Sequence, residues 1–402
     1  MHLLTAAIVL SWLIALAWTV PTLIALRNLP RVPNLLEMPV PGRGFETGEP
    51  SALFRPELTV IVPARNEAQS IEQTLQSLLG QALPVEIIAV DDRSEDETGA
   101  IMERVAAEAK AKGKPLRVIH VETLPAGWMG KTHAMALAAR QATTPWLLFT
   151  DGDVLYDRDT IRRTMDYAAR EQADHVVLMP TLILKTVGER MMISLFQTLS
   201  LLSWRPWKIA DPKAKSDSIG VGAFNLMRSE VYRAVGGFEA QKMEVLEDLR
   251  LGFEIKRNGY RQRMVFGRGL IQVHWAPGAL GIVRNLTKNI FAVFRFRPLV
   301  VFSVCAGLGL MCFGPIAALF GPPTMKAAGV VSLAMFWLLY RDSGRRQTGV
   351  SPMYLLTLPV AATLMFYSIL RSMVVTLMQG GVIWRGTFYP LDELKKHAGP
   401  LR

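Results

Sequence analysis

Leu58-Thr59-Val60-Ile61-Val62-Pro63, running into Ala64-Arg65-Asn66-Glu67, and Val85-Glu86-Ile87-Ile88-Ala89-Val90, running into Asp91-Asp92-Arg93-Ser94, decide the fold of this 402-residue chain. Each is a short apolar, β-branched run that ends in a polar, mostly acidic loop. Between them a helical pattern extends to Leu79. The alternation continues with a helix from about Glu97 to Lys112, a strand over Leu116–Val121, a helix from Thr132 to Arg140 and a strand over Trp146–Thr150. Strands and helices alternating at this spacing predict an α/β domain whose mostly parallel, doubly wound sheet is covered on both faces. Ligands of such sheets sit beyond the carboxyl ends of the strands, so the loops that follow each strand are where chemistry is sought.

Outward from this domain the chain changes character. Half of its residues are hydrophobic, and the excess collects at the two ends. Leu3 to Leu26 carries no charge, and from Leu299 to Leu377 charges are sparse and grouped. About 20 apolar helical residues span a hydrocarbon core of roughly 30 Å, a requirement met by Leu3–Leu26 and Leu299–Phe320. No Lys or Arg precedes Arg27, so the first segment reads as an uncleaved anchor rather than a signal peptide. Leu299–Phe320 and Met325–Tyr340, parted by Gly321-Pro322-Pro323, read as a helical hairpin. Met353–Leu377 contains Arg371 and Pro359. If that segment crosses once, the tail from Trp384 lies outside; if it folds back, the tail stays inside. Met191–Trp207 is either an in-plane interfacial helix or a buried core helix.

The expected organisation is an N-terminal anchor over 1–27, a Pro- and Gly-rich linker over 28–57, the α/β domain over 58–298, membrane helices over 299–380 and a tail over 381–402. The net charge of +11 invites a nucleic-acid reading. However, Arg27, Arg31, Arg295, Arg297, Arg341, Arg345 and Arg346 flank the apolar segments, as the positive-inside rule requires of cytoplasmic loops. A membrane, and not nucleic acid, is the expected partner, with the α/β domain at the cytoplasmic face of the inner membrane. Cys305 and Cys312 lie within one apolar segment and imply neither a disulfide framework nor a zinc site.

Asp151-Gly152-Asp153 directly follows the fourth strand. Two carboxylates two residues apart can present oxygen ligands to Mg²⁺ or Mn²⁺ bridging a nucleotide diphosphate; turn and N-cap chemistry explains the same residues without a metal. Asp91 and Asp92 can accept hydrogen bonds from a nucleobase or ribose, while Ser94 or Asp96 can cap a helix. Glu247-Asp248 opens an amphipathic helix, where a carboxylate either serves the helix dipole or acts as a general base. Lys131 opposes the dipole at a helix start, which a phosphate would offset. Arg284 and Lys288, four apart, share a helix face either as a diphosphate clamp or as a solvated basic flank.

Pro63–Glu67 (PARNE), Val90–Ser94 (VDDRS), Pro125–Lys131 (PAGWMGK), Asp151–Asp153 (DGD), Gly222–Asn225 (GAFN) and Glu247–Leu251 (EDLRL) form an ordered series. Over about Leu58 to Phe296 the chain resembles the family 2 glycosyltransferases of GT-A fold, and more closely their membrane-bound branch, with ceramide glucosyltransferase-like, hopene-associated and carotenoid-acid glycosyltransferases. The resemblance implies that Ala64, Glu67, Asp91 and Asp92 line a nucleotide pocket, with a UDP-sugar the expected donor. It implies that Asp151 and Asp153 handle ribose, diphosphate and metal, and that Lys131 neutralises phosphate. Gly222, Ala223, Phe224 and Glu247 would border the acceptor, and Asp248 would be the base of an inverting transfer. Where processive synthases carry Q-x-x-R-W, this chain reads Arg284-Asn285-Leu286-Thr287-Lys288-Asn289. That departure favours transfer of one sugar to a hopanoid, carotenoid or sphingolipid-like acceptor over a glycan-extending synthase. A nucleotide-sugar-binding membrane scaffold without chemistry is the alternative from another class.

Overall fold

The computed structural model describes residues 2–39 and 56–400. Most of the linker expected over 28–57, residues 40–55, lies outside the described residues, as do residues 401–402 of the expected tail. The chain divides into a sheet unit, Pro33–Ile183, Lys208–His274 and Lys396–Arg402, and a helical unit, Met1–Val32, Leu184–Trp207 and Trp275–Lys395.

In the sheet unit the strands are β1 (Leu58–Ala64), β2 (Glu86–Asp92), β3 (Leu116–Val121), β4 (Trp146–Phe149), β5 (Val154–Tyr156), β6 (His175–Leu178), β7 (Thr181–Leu182), β8 (Asn225–Arg228), β9 (Gln262–Val265) and β10 (Ile271–Val273). Seven form one sheet in the order β3-β2-β1-β4-β8-β6-β9. β1 is buried at every position, as a central strand covered on both faces must be. Its alternate residues feed two different cores, as the two-residue period of a strand dictates. Leu58, Val60 and Val62 pack with Ile71 and Leu75, whereas Ile61 packs with Ile88, Ala134, Met135 and Phe149. The helices Ile71–Leu79, Thr98–Ala111 and Gly130–Gln141 are the expected crossovers between parallel β1, β2, β3 and β4.

The sheet is mixed, parallel except at one strand. β8 runs antiparallel to both β4 and β6, while β6 and β9 are parallel. β8 is reached after a long excursion through Val187–Trp204 rather than by a single crossover helix. Pairing of Phe149 with Asn225 places the turn after β4 beside the residues before β8. Thr150 Oγ1 and the Tyr156 hydroxyl both donate to Ala223 O, at 2.9 and 3.2 Å. β5, β10 and β7 make a second, three-stranded sheet.

Among the described residues, the helical unit contains four helices long and apolar enough to cross a membrane, over His2–Arg31, Pro298–Ala318, Pro323–Thr348 and Pro352–Gln379. The two 21-residue helices Pro298–Ala318 and Pro323–Ser343 are each about 31 Å long at 1.5 Å per residue, enough for a hydrocarbon core. Apolar side chains that would be misplaced in water stand exposed on them and on the first helix, among them Leu13, Leu16, Leu299 and Phe302. Lipid removes much of the hydrophobic drive between helices, so packing and hydrogen bonds carry association. Trp18 supplies both, stacking on Phe336 with ring centroids 4.1 Å apart and donating from Nε1 to Met311 O at 2.9 Å.

The helix Val187–Trp204 buries Met191, Met192, Ile193, Ser194 and Leu195 in succession. Burial on all sides in this way is the core reading of that stretch and not the interfacial one. With Gly278–Val293 it belongs to the helical unit. The segment after Gly380 is a β-hairpin, Gly381–Trp384 against Thr387–Pro390. Arg385 and Gly386 at its tip both have positive φ, 47° and 78°, the two-residue turn whose twist suits paired strands.

Candidate active site

All the acidic strand ends of the sheet unit come to one edge, as the doubly wound pattern requires. The loops after β1 and β2 brace each other. Asn66 N donates to Ser94 Oγ at 3.1 Å, and Glu95 N donates to Asn66 Oδ1 at 2.8 Å. Asn66 has φ 55°, a left-handed conformation its short amide side chain tolerates well. Glu67 N donates to Thr98 Oγ1 at 2.8 Å, and the Glu67 carboxylate accepts from Ser70 Oγ at 3.0 Å. Ala64 is buried and lies against Gly152 of the turn after β4.

Asp91 accepts from Ser94 N at 3.1 Å and pairs with His120 Nδ1 at 3.1 Å. His120 also meets Glu103 at 2.9 Å. The hydrogen bond to Glu103, with Asp91 assisting against desolvation, raises the imidazole above its ordinary pKa. Asp92 is buried and ion-paired to Arg93 at 2.9 Å. A Cβ built on Gly130 would lie 2.2 Å from Asp92 Oδ2. Only glycine lets the first turn of Gly130–Gln141 approach that carboxylate so closely.

Lys131, one residue further, is the centre of the site. Its Nζ lies 2.7 Å from both Asp151 Oδ1 and Glu247 Oε1, which joins the turn after β4 to the start of the helix Glu247–Arg257. Burial works against the ammonium, but the carboxylates of Asp151, Glu247 and Asp248 outweigh it and hold its pKa well above the ordinary lysine value. Gly222 closes the cluster. Its N–H donates to Asp248 Oδ2 at 2.8 Å, and a Cβ there would come within 2.8 Å of Asp151 Oδ2 and 3.0 Å of Lys131 Nζ.

Asp248 also accepts from Leu249 N through Oδ1 at 2.7 Å. Burial, then the neighbouring Glu247 charge, push its carboxyl up to about 7, with Lys131 opposing. A carboxylate near neutrality beside a fixed ammonium is suited to accepting a proton.

The structure thus gathers Lys131, Asp151, Gly222, Glu247 and Asp248 into one hydrogen-bonded group. Asp91 and Asp92, with the Glu67 loop, stand at adjoining strand ends. Two residues expected on the acceptor side have buried side chains. Phe224 is fully buried near Tyr156, and Ala223 is buried with its carbonyl engaged by Thr150 and Tyr156. The apolar side chains of the GAFN motif fill core, while its first residue, Gly222, and Glu247 meet the polar cluster. Arg284 and Lys288 belong to the helical unit, where Lys288 Nζ lies 4.9 Å from the centroid of the Trp384 ring.

Sequence reading missed that Lys131 bridges Asp151 and Glu247, since nothing in a linear spacing of 20 and 116 residues links them. It also missed His120, Gly130 and the Gly222–Asp248 hydrogen bond.

Among the described residues no three or more His, Cys, Asp or Glu side chains form a ready cage for a metal ion. Asp151 and Asp153 offer carboxylate oxygens, and Asp151 is about a third exposed. Such a pair fits Mg²⁺ or Mn²⁺ in the manner these ions favour, with phosphate and water oxygens completing the shell.

Residues 59–236 match the family model of Glycosyl transferase family 2. The chain is 27% identical over 197 residues to the 4,4'-diaponeurosporenoate glycosyltransferase of Staphylococcus aureus, a match covering 48% of this chain and 50% of that protein. The chain thus spans about half the length of the curated relatives it matches. Among solved structures, the mannosyltransferase PcManGT from Pyrobaculum calidifontis, in complex with GDP-Man and Mn2+, aligns over 92% of this chain and 99% of its own, with 19% identity and a TM-score of 0.47. Staphylococcus aureus TarS 1-349 in complex with UDP aligns over 83% and 95%, with 16% identity and a TM-score of 0.39. The similarity to family 2 glycosyltransferases thus covers residues 59–236 of the chain.

Proposed function

We propose that this protein moves a single sugar from a nucleoside-diphosphate sugar to a lipid acceptor at the cytoplasmic face of the inner membrane, with inversion at the anomeric carbon. The observation that carries this reading is the Lys131 bridge. It holds the donor-side carboxylate Asp151 and the acceptor-side pair Glu247-Asp248 within one charge cluster.

The nucleoside is held at the strand ends, by Ala64 and Glu67 after β1 and by Asp91 and Asp92 after β2. Lys131 places a positive charge beside Asp151 where a diphosphate develops negative charge as it leaves. Asp248, oriented by the Gly222 N–H, takes the proton of the acceptor hydroxyl as its oxygen bonds to the anomeric carbon. The bond from that carbon to the diphosphate oxygen breaks, and its electron pair leaves with the nucleoside diphosphate. Attack opposite the leaving group inverts the centre. A Mg²⁺ or Mn²⁺ ion held by Asp151 and Asp153 would supply Lewis-acid stabilisation of the diphosphate.

The arginines beside the apolar helices support the cytoplasmic orientation. The curated relatives, named for 4,4'-diaponeurosporenoate, agree with a lipid-type acceptor.

The test is release of nucleoside diphosphate from a panel of nucleotide sugars by detergent-purified protein with extracted membrane lipid, with and without Mn²⁺. Lipid-stimulated, metal-dependent release is expected, falling ~10²–10⁴-fold in Asp248→Asn, the usual contribution of a general base. Donor binding without lipid-dependent turnover in the unaltered protein would favour the scaffold reading.

A further inference from the structure

The chain passes between the two units at five places: residues 32/33, 183/184, 207/208, 274/275 and 395/396. A folded sheet domain with loop edges does not straddle a bilayer, so all five junctions lie on one face. Between 275 and 395 the chain therefore crosses an even number of times. Three helices in that stretch are long and apolar enough to cross: Pro298–Ala318, Pro323–Thr348 and Pro352–Gln379. Parity excludes three crossings. The end of the chain agrees, because Arg250 Nη1 donates to Pro400 O and Gly399 N donates to Glu244 Oε2 at 3.3 Å. The last described residues are thereby fastened within the sheet unit.

The odd helix is identifiable. Pro298–Ala318 and Pro323–Ser343 are joined by a four-residue turn in which Phe320 is exposed, so they cross together or not at all. The segment Pro352–Gln379 carries Arg371, and a charge at the centre of a spanning helix costs about 3 kcal/mol. Arg371 Nη1 donates to Thr287 Oγ1 at 2.6 Å, Ser372 Oγ donates to Thr287 O, and Phe291 N donates to Ser372 Oγ at 3.1 Å. Their partner helix, Gly278–Val293, lies between a junction and the hairpin and is not among the helices able to cross.

We propose that Pro352–Gln379 does not span. It enters and leaves the leaflet on the sheet unit's side together with Gly278–Val293, making a surface whose partner is that one leaflet. Leu356, Val360, Tyr367, Val374 and Met378, all exposed, enter its acyl layer, and Arg284, Lys288 and Arg371 supply charge for its phosphates. Among the described residues the chain crosses the membrane three times, and its last residues share the face of the sheet unit.

The test is labelling by a membrane-impermeant maleimide in vesicles of both orientations. It uses full-length protein with Cys305→Ala and Cys312→Ala and one new cysteine, Lys112→Cys, Phe320→Cys or Lys395→Cys. Positions 112 and 395 are expected to label from one face and 320 from the other. Labelling of 395 with 320 would mean that Pro352–Gln379 crosses, and labelling of all three from one face would mean that the hairpin does not; either overturns the proposal. Should a variant misfold, reporters fused to the C-terminus of the unaltered chain decide it. With the sheet unit cytoplasmic, as the proposed function has it, green fluorescent protein bright and alkaline phosphatase inactive are expected; the reverse, with the same reporters fused after residue 112 reading cytoplasmic, overturns the proposal.

Discussion

Asp248 and Lys131 act on each other's protons. The Asp248 carboxyl sits above its ordinary range because burial and the Glu247 charge outweigh Lys131. Its base form therefore appears only as pH rises, and kcat/KM is expected to climb with pH below about 7 and to level above it. Because the folded-state value exceeds the unfolded one, the folded chain binds the extra proton between them, and this group's contribution to stability falls as pH rises toward 7. A bound divalent cation would move the kinetic limb to lower pH. Lys131→Met removes the one opposing charge. The acid limb should then shift to higher pH, read from a kcat/KM profile, and folding stability should drop by about 2 kcal/mol. That is less than the 3–5 kcal/mol of a fully buried pair, because a quarter of the Lys131 side chain is exposed. An unmoved limb would show that the titrating base is another group.

At the scale of elements, the helix Val187–Trp204 is set by its first turn. Thr186 Oγ1 accepts from Glu189 N at 3.2 Å, and Glu189 Oε2 in turn accepts from Lys185 N and Thr186 N, a capping box. The same carboxylate accepts from Gly278 N at 2.7 Å, so it ties the starts of two helices together. Burial opposes its charge, but the backbone donors Gly278, Lys185 and Thr186 prevail and hold its pKa down to about 2. The stabilisation is present above the unfolded value and is lost as pH falls through about 2. Glu189→Ala should cost roughly 2–3 kcal/mol, the range for losing charged hydrogen bonds in a buried setting. Thermal unfolding in detergent measures it, and Glu189→Gln should recover part of the loss.

How far such elements could be read from sequence depended on their length. β1, β2 and β3 with their three helices were legible because runs such as Val60-Ile61-Val62 are buried on both faces, and their ends delivered Glu67, Asp91, Asp92 and Asp151 to one edge as expected. β5, β7 and β10, of two or three residues, are too short to show a period. The reversed direction of β8 depends on what Asn225 to Arg228 pair with, which sequence does not carry. Gly130 and Gly222 were visible as motif members, but their reason, close approach to Asp92 and to Asp151, exists only in three dimensions.

For the whole molecule the question is which helices hold it in the bilayer. The first helix packs through Trp18 on Phe336 and Met311, contacts whose individual hydrogen bonds contribute about 0.6 kcal/mol in membranes. The hairpin Pro298–Ser343 has two helices long and apolar enough to cross, each about 31 Å, and needs no partner to satisfy its backbone. A chain lacking residues 1–31 should therefore stay in the membrane pellet after alkaline carbonate extraction, with its tail still on the sheet unit's face. Its thermal unfolding should fall, since Phe336 and the carbonyl of Met311 lose their partner. Recovery of that variant in the supernatant would mean that the hairpin alone does not insert, and that the first helix is what commits the chain to the bilayer.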